Sequence, residues 1–205
     1  MTRLPELIVF FSSFSLLLLE LTAARLVARH IGSSLETWSA VIGLLLGGIA
    51  LGNALGGLLA DKGKPERTCF LALFAGALFC GCVLPLTRVA GVWTGLPLPW
   101  AVQVILVTGT VLLLPALVLG TVSPIATRLS LSMGRPVGRT MGNMYAWSAL
   151  GSILGTYLTG FVFFSHFRIE QVVWVTCGVL ATISLIVLVT GLGRKASDAP
   201  KEKTT

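Results

Sequence analysis

The residues able to do chemistry are few, and they stand inside apolar sequence. Glu20 follows four consecutive leucines and is the one acid expected well within an apolar span. A charged side chain at mid-helix costs about 2.5–3.5 kcal/mol for Asp, Lys or Arg on insertion scales, and less near an interface. Glu20 therefore needs a reason to be there: a proton or cation site, or a buried structural hydrogen bond or ion pair. Arg25 is five residues further on, about 140° round a helix, and is a poor local partner. Ser123 and Arg128 flank a second polar stretch around Pro124, with Arg128 expected near the opposite membrane face. Glu20, Arg25, Ser123 and Arg128 together make the candidate intramembrane polar site.

A second group is Asp61-Lys62-Gly63-Lys64, where an apolar helix ends. An acid at a helix C-terminus opposes the macrodipole and needs a cation. Lys62, Lys64 or Arg139 can supply one.

The remaining reactive types carry less. Cys69, Cys80, Cys82 and Cys177 all lie in apolar runs, and the Cys80-x-Cys82 pair has no second thiol pair or histidine beside it. They read as small apolar packing residues, with no metal and no disulfide expected. His30 and His166 fall in loops, and Trp38, Trp93, Trp100 and Trp174 fall near span ends, where indole favours the interface. No nucleophile–base pair, metal-ligand cluster or glycine-rich nucleotide turn is visible, so neither enzymatic activity nor a cofactor is expected. The net charge of +7 is spread in ones and threes between apolar runs, which fits membrane topology and not nucleic acid.

These residues must be carried by membrane-spanning helices. Of the 205 residues, 55% are hydrophobic and 11% charged, and the mean hydropathy is +0.91. Soluble domains carry about 25% charged residues. About 20 apolar residues at 1.5 Å rise cross a hydrocarbon core of about 30 Å. Six stretches qualify: roughly 5–28, 35–60, 69–92, 100–131, 142–165 and 170–192. We number them spans 1 to 6, with residues 1–192 expected to form one six-helix domain. Span 4 is long enough to need tilt or a break, which Pro115, Gly120 and Pro124 can supply. The first stretch resembles a signal peptide but lacks a clean cleavage site, so it reads as an uncleaved helix. The tail 193–205 reads as a short disordered end, with no soluble domain after it.

Orientation follows from Lys and Arg. Eleven lie on the side of the N-terminus, the 2–3 and 4–5 loops and the C-tail, against four (Arg25, Arg29, Arg88, Arg168) on the other. Positive residues stay inside, so both ends are expected in the cytoplasm of a bacterial-type inner membrane, with the lipid bilayer as the first partner.

Span 2 carries Gly43-x-x-x-Gly47 and Gly48, Gly52 and Gly56 at four-residue spacing; span 5 carries Gly151 and Gly155. Small residues so spaced let helices approach closely, either within the chain or between subunits. Two local matches relate the halves of the chain. Leu51-Gly52-x-x-Leu55-Gly56 pairs with Leu150-Gly151-x-x-Leu154-Gly155, and Ala23-Ala24-Arg25-Leu26 with Ala126-Thr127-Arg128-Leu129, at offsets of 99 and 103 residues. Spans 1 and 4 run in opposite senses, so the expected architecture is two inverted three-helix repeats.

With these residues laid out, the chain resembles the membrane domain of fused major-facilitator/spermidine-synthase-like proteins. The likeness rests on Glu20-Leu-Thr-Ala-Ala-Arg25-Leu, Gly52-x-x-x-Gly56-Gly57-x-x-Ala60-Asp61, Ser123-Pro124 with Arg128-Leu129, and Gly138-Arg139 through Gly155-Thr156. It implies an all-α fold like half of a major facilitator, with spans 1 and 4 lining a cavity and spans 2 and 5 meeting another half. The Asp61–Lys64 loop, with Arg139, then resembles the facilitator gating loop, shortened by one residue and with Pro65 where a second basic residue is usual. Two functions follow as expectations. One is a half-size transporter that works as a homodimer or larger complex and moves a polyamine or small cation. The other is a non-catalytic membrane anchor for a separate partner, soluble or membrane-bound, such as an aminopropyltransferase-like enzyme.

Overall fold

The structure is a computed structural model that describes residues 3–62 and 65–197, and side chains up to residue 190. Every regular element in it is helical. Gly63 and Lys64 of the loop after span 2, and the tail from 198 onward, lie outside the described residues.

Six helical segments are long and apolar enough to cross a membrane. Span 1 is α1 (Leu4–Ile31) and span 2 is α2 (Leu35–Lys62). Span 3 is α3 (Pro65–Ala90) with a 3-10 turn over Gly91–Gly95, so it begins four residues before the expected 69. Span 4 is α4 (Trp100–Gly120) and α5 (Val122–Leu131); span 5 is α6 (Val137–Tyr157), a π-helical stretch Leu158–Phe163 and α7 (Phe164–His166). Span 6 is α8 (Ile169–Ser197), which carries helix five residues past the expected end at 192. At 28 residues, α1 and α2 each reach about 42 Å, enough to cross the core with tilt.

Span 4 breaks where the prolines allow. Pro124 has no N–H to give to the Gly120 carbonyl, and at Thr121 the chain tightens, its N–H bonding to Val118 O and its hydroxyl donating there at 2.7 Å. The break lies against span 2, where a Cβ on Gly120 would stand 2.9 Å from the Ile49 carbonyl oxygen. Glycine at this point is what lets the two backbones touch.

Span 2 packs along span 4, span 1 along span 5, and span 3 along span 6; spans 3 and 4, spans 1 and 6, and spans 1 and 4 also touch. Spans 1 and 4 form the centre, with 50% and 44% of their most apolar stretches buried, whereas spans 2 and 5 reach only 28% and 17%. The core is aliphatic: Ile8, Leu18, Leu19, Val27, Leu73, Leu112, Ile125 and Leu129 are essentially inaccessible. The glycine stripes work inside the chain. Gly48, Gly52 and Gly56 face span 4, and Gly151 and Gly155 face the Phe10 and Phe14 carbonyls of span 1. The Ser13 and Ser148 hydroxyls, 2.8 Å apart, add a hydrogen bond across that seam.

Candidate functional site: two arginine-lined vestibules

The glycine contacts fix a register between the halves. Gly48 and Gly52 lie against the Leu113 and Leu117 carbonyls, as Gly151 and Gly155 lie against those of Phe10 and Phe14. Each member of one set is 103 residues from its counterpart. The sequence match of spans 2 and 5 at an offset of 99 differs from this contact spacing by four residues, about one helical turn. A repeating Gly-x-x-x-Gly pattern matches itself after any shift of four, so only the contacts select the register.

The same offset relates two cavities at opposite ends of the bundle. One, of about 360 Å³, is lined by Ala24, Arg25, Ala28, Trp38 and Val41, with Ser33, Thr37 and Ile169 around it. The other, of about 500 Å³, has Thr127, Arg128, Leu131, Met141 and Met144 at the matching positions, and adds Asp61, Asn53, Ser123 and Tyr145. We call these the Arg25 and Arg128 vestibules.

Both arginines are exposed at span ends, where a long side chain keeps its head wet. The Arg25 guanidinium lies 3.7 Å from the Phe164 ring centroid, an attraction worth about 0.5–1 kcal/mol at exposed sites. The π-helical stretch directly before Phe164 sets the rotation of span 5 that presents this ring. At the matching position on span 2 stands Asp61, which shares the second cavity with Arg128. One arginine thus meets an aromatic face, and the other shares its cavity with a carboxylate.

The sequence-based site is brought together in part. Ser123 and Arg128 share a cavity with Asp61, while Arg25 lines the other. Glu20 lines neither cavity, although it is 103 residues from Ser123 and half-buried on span 1. Arg139, offered as a partner for Asp61, instead lines a third cavity with Arg3, Glu6 and Arg135. Lys62 ends α2 and lines none of the three.

Sequence reasoning missed Glu6. It is 5% exposed, and it accepts a hydrogen bond from Arg135 in an ion pair that ties the start of span 1 to the 4–5 loop. The signal available was that spans 1 and 5 begin on the same side, which puts Glu6 and Arg135 at one level.

No protein-family model, curated protein or solved structure matches the chain. The functional reading therefore rests on the geometry.

Proposed function

We propose that the chain is a six-span transporter unit of inverted three-helix repeats, resembling half of a major facilitator, which encloses its pathway by pairing with a second copy. The observation that carries this reading is the pair of vestibules with matching linings at opposite membrane faces. Exchanging spans 1, 2 and 3 for 4, 5 and 6 leaves the main helix pairings unchanged, as alternating access through inverted repeats requires. With the positive-inside orientation, the Arg128 vestibule opens to the cytoplasm and the Arg25 vestibule to the other side.

The face of spans 2 and 5 supports a second copy. Asn53 and Tyr145, which line the Arg128 vestibule, are exposed there, Tyr145 to 71%, and a second copy on this face would close the cavity over them. An added Cβ on Gly43, Gly47, Gly138 or Gly142 meets nothing within 4 Å, so these glycines have room for another helix. The Arg25 vestibule holds a guanidinium and no carboxylate, and the Arg128 vestibule holds one beside Asp61, linings that suit a solute with an anionic group better than the polyamine expected from the family resemblance. We therefore take the cargo to be a small solute bearing at least one anionic group.

The test is flux of a panel of small charged solutes, spermidine included, through vesicles holding the full chain. Arg25→Gln and Arg128→Gln should each slow transport of an anionic or zwitterionic member by about tenfold, since each removes a charge-assisted contact. Flux of no solute, or flux indifferent to both substitutions, defeats the proposal. Glu20→Gln decides whether that carboxyl takes part. Particle imaging of the purified protein should show a homodimer. A stoichiometric partner of different sequence would favour the membrane-anchor function instead.

A further inference from the structure

The third cavity lies at the face where α1 and α6 begin, and it is basic. It encloses about 340 Å³ and is lined by Arg3, Glu6, Arg135, Arg139, Thr140 and Asn143. Three guanidiniums oppose one carboxylate. Arg135 is already engaged, donating to Glu6 and, at 3.1 Å, to the Ser130 hydroxyl oxygen. Arg3 and Arg139 are exposed and have no ion-pair partner among the described residues.

Two further observations give the cavity a preference. The N-termini of α1 and α6, helices of 28 and 21 residues, both start there, and neither receives a side-chain cap. Their free N–H groups and dipoles favour an anion. Thr140, 3% exposed, also lines the cavity, and its hydroxyl has no hydrogen-bond partner.

Comparison with the other half shows that the repeat does not require this arrangement. The residues 103 positions before Arg139 and Thr140 are Glu36 and Thr37. Thr37 donates its hydroxyl to the Gly32 carbonyl at 3.2 Å. The positions 103 residues apart thus carry an acid and a satisfied threonine on one face, and an arginine and an unpartnered threonine on the other.

We propose that this cavity binds a phosphate ester, its oxygens held by Arg3, Arg139 and the Thr140 hydroxyl. The second carboxylate oxygen of Glu6 is buried without a partner and accepts a hydrogen bond from a hydroxyl on the ligand. Phosphatidylglycerol carries both groups, and so does soluble glycerol phosphate. Basic pockets between membrane helices are suited to such headgroups.

The experiment uses the full chain in phosphatidylcholine nanodiscs containing phosphatidylglycerol, released into native mass spectrometry. Thermal unfolding in detergent is followed in parallel against glycerol phosphate and inorganic phosphate. The R3Q/R139Q double variant and Thr140→Val are compared with wild type, and Arg29→Gln on the opposite face serves as control. Both arginines are exposed, so unfolding midpoints without ligand should match wild type.

If the ligand is a lipid, wild type and Arg29→Gln retain phosphatidylglycerol, and R3Q/R139Q loses about tenfold of it. If the ligand is soluble, the phosphates raise the midpoint saturably in wild type and not in R3Q/R139Q. Thr140→Val weakens whichever response appears. Equal lipid retention in wild type and R3Q/R139Q, with no saturable effect of either phosphate, overturns the proposal.

Discussion

The seam between spans 2 and 4 gives the sharpest test of how the bundle is held together. Gly52→Ala adds one methyl. That carbon would fall inside the van der Waals shell of the Leu117 carbonyl oxygen and stand 2.9 Å from the Gly120 Cα. Optimal carbon–carbon separation is about 3.5–4.0 Å, so the backbones must part by roughly 1 Å. Both obstructing atoms are main chain and cannot swing aside as a rotamer would. Overpacking of this kind costs about 1–3 kcal/mol, and the parting also loosens the Gly48 and Gly56 contacts. Alanine recovers up to about 1 kcal/mol of helix propensity over glycine, leaving a net loss of about 0–2 kcal/mol. Gly178→Ala, inside α8 and away from the face of spans 2 and 5, meets nothing within 4 Å and should be neutral or stabilising by up to about 1 kcal/mol. The propensity gain cancels between them, so the two variants should differ by the overpacking cost of about 1–3 kcal/mol in a reversible denaturation titration of the full chain in mixed micelles, and Gly155→Ala should behave like Gly52→Ala. Equal midpoints for Gly52→Ala and Gly178→Ala would refute the close-packed seam.

Two other expectations follow. Glu6→Gln leaves Arg135 without its carboxylate; with Arg135 still 24% exposed, the cost should be about 1–3 kcal/mol, below the range for a fully buried pair, and E6Q/R135Q should recover part of it in the same titration. Single cysteines at Ser33 and at Arg135, in a chain whose native cysteines are alanine, should react with an impermeant thiol reagent only from outside and only from inside, respectively. The reverse pattern would invert the proposed topology.

Much of the architecture was legible in the sequence because lipid imposes a simple code. Every backbone group must be satisfied within its own helix, so apolar runs of sufficient length declare the spans. The lone break in span 4 follows from the missing N–H of Pro124. Glycine spacing showed that spans 2 and 5 pack closely against something, but spacing alone does not tell an internal neighbour from a subunit. The structure assigns Gly48, Gly52, Gly56, Gly151 and Gly155 to internal seams, while Gly43, Gly47, Gly138 and Gly142 are left open.

The polar residues divide along the same line. Their identities pointed to Glu20, Arg25, Asp61, Ser123 and Arg128, because charge in apolar sequence stands out. Which of them meet depends on rotation and register about six helix axes, and local sequence does not encode these. Arg128 shares a cavity with Asp61 because span 4 breaks against span 2; Arg25 reaches Phe164 because span 5 carries a π-helical stretch before it. Glu6 gains its partner only because the 4–5 loop brings Arg135 over it. The sequence alone determined that six apolar helices carry a handful of charges. Tertiary packing decided that those charges line two arginine-bearing vestibules and one basic cavity, since long-range contacts, and not hydropathy, set which helix faces meet.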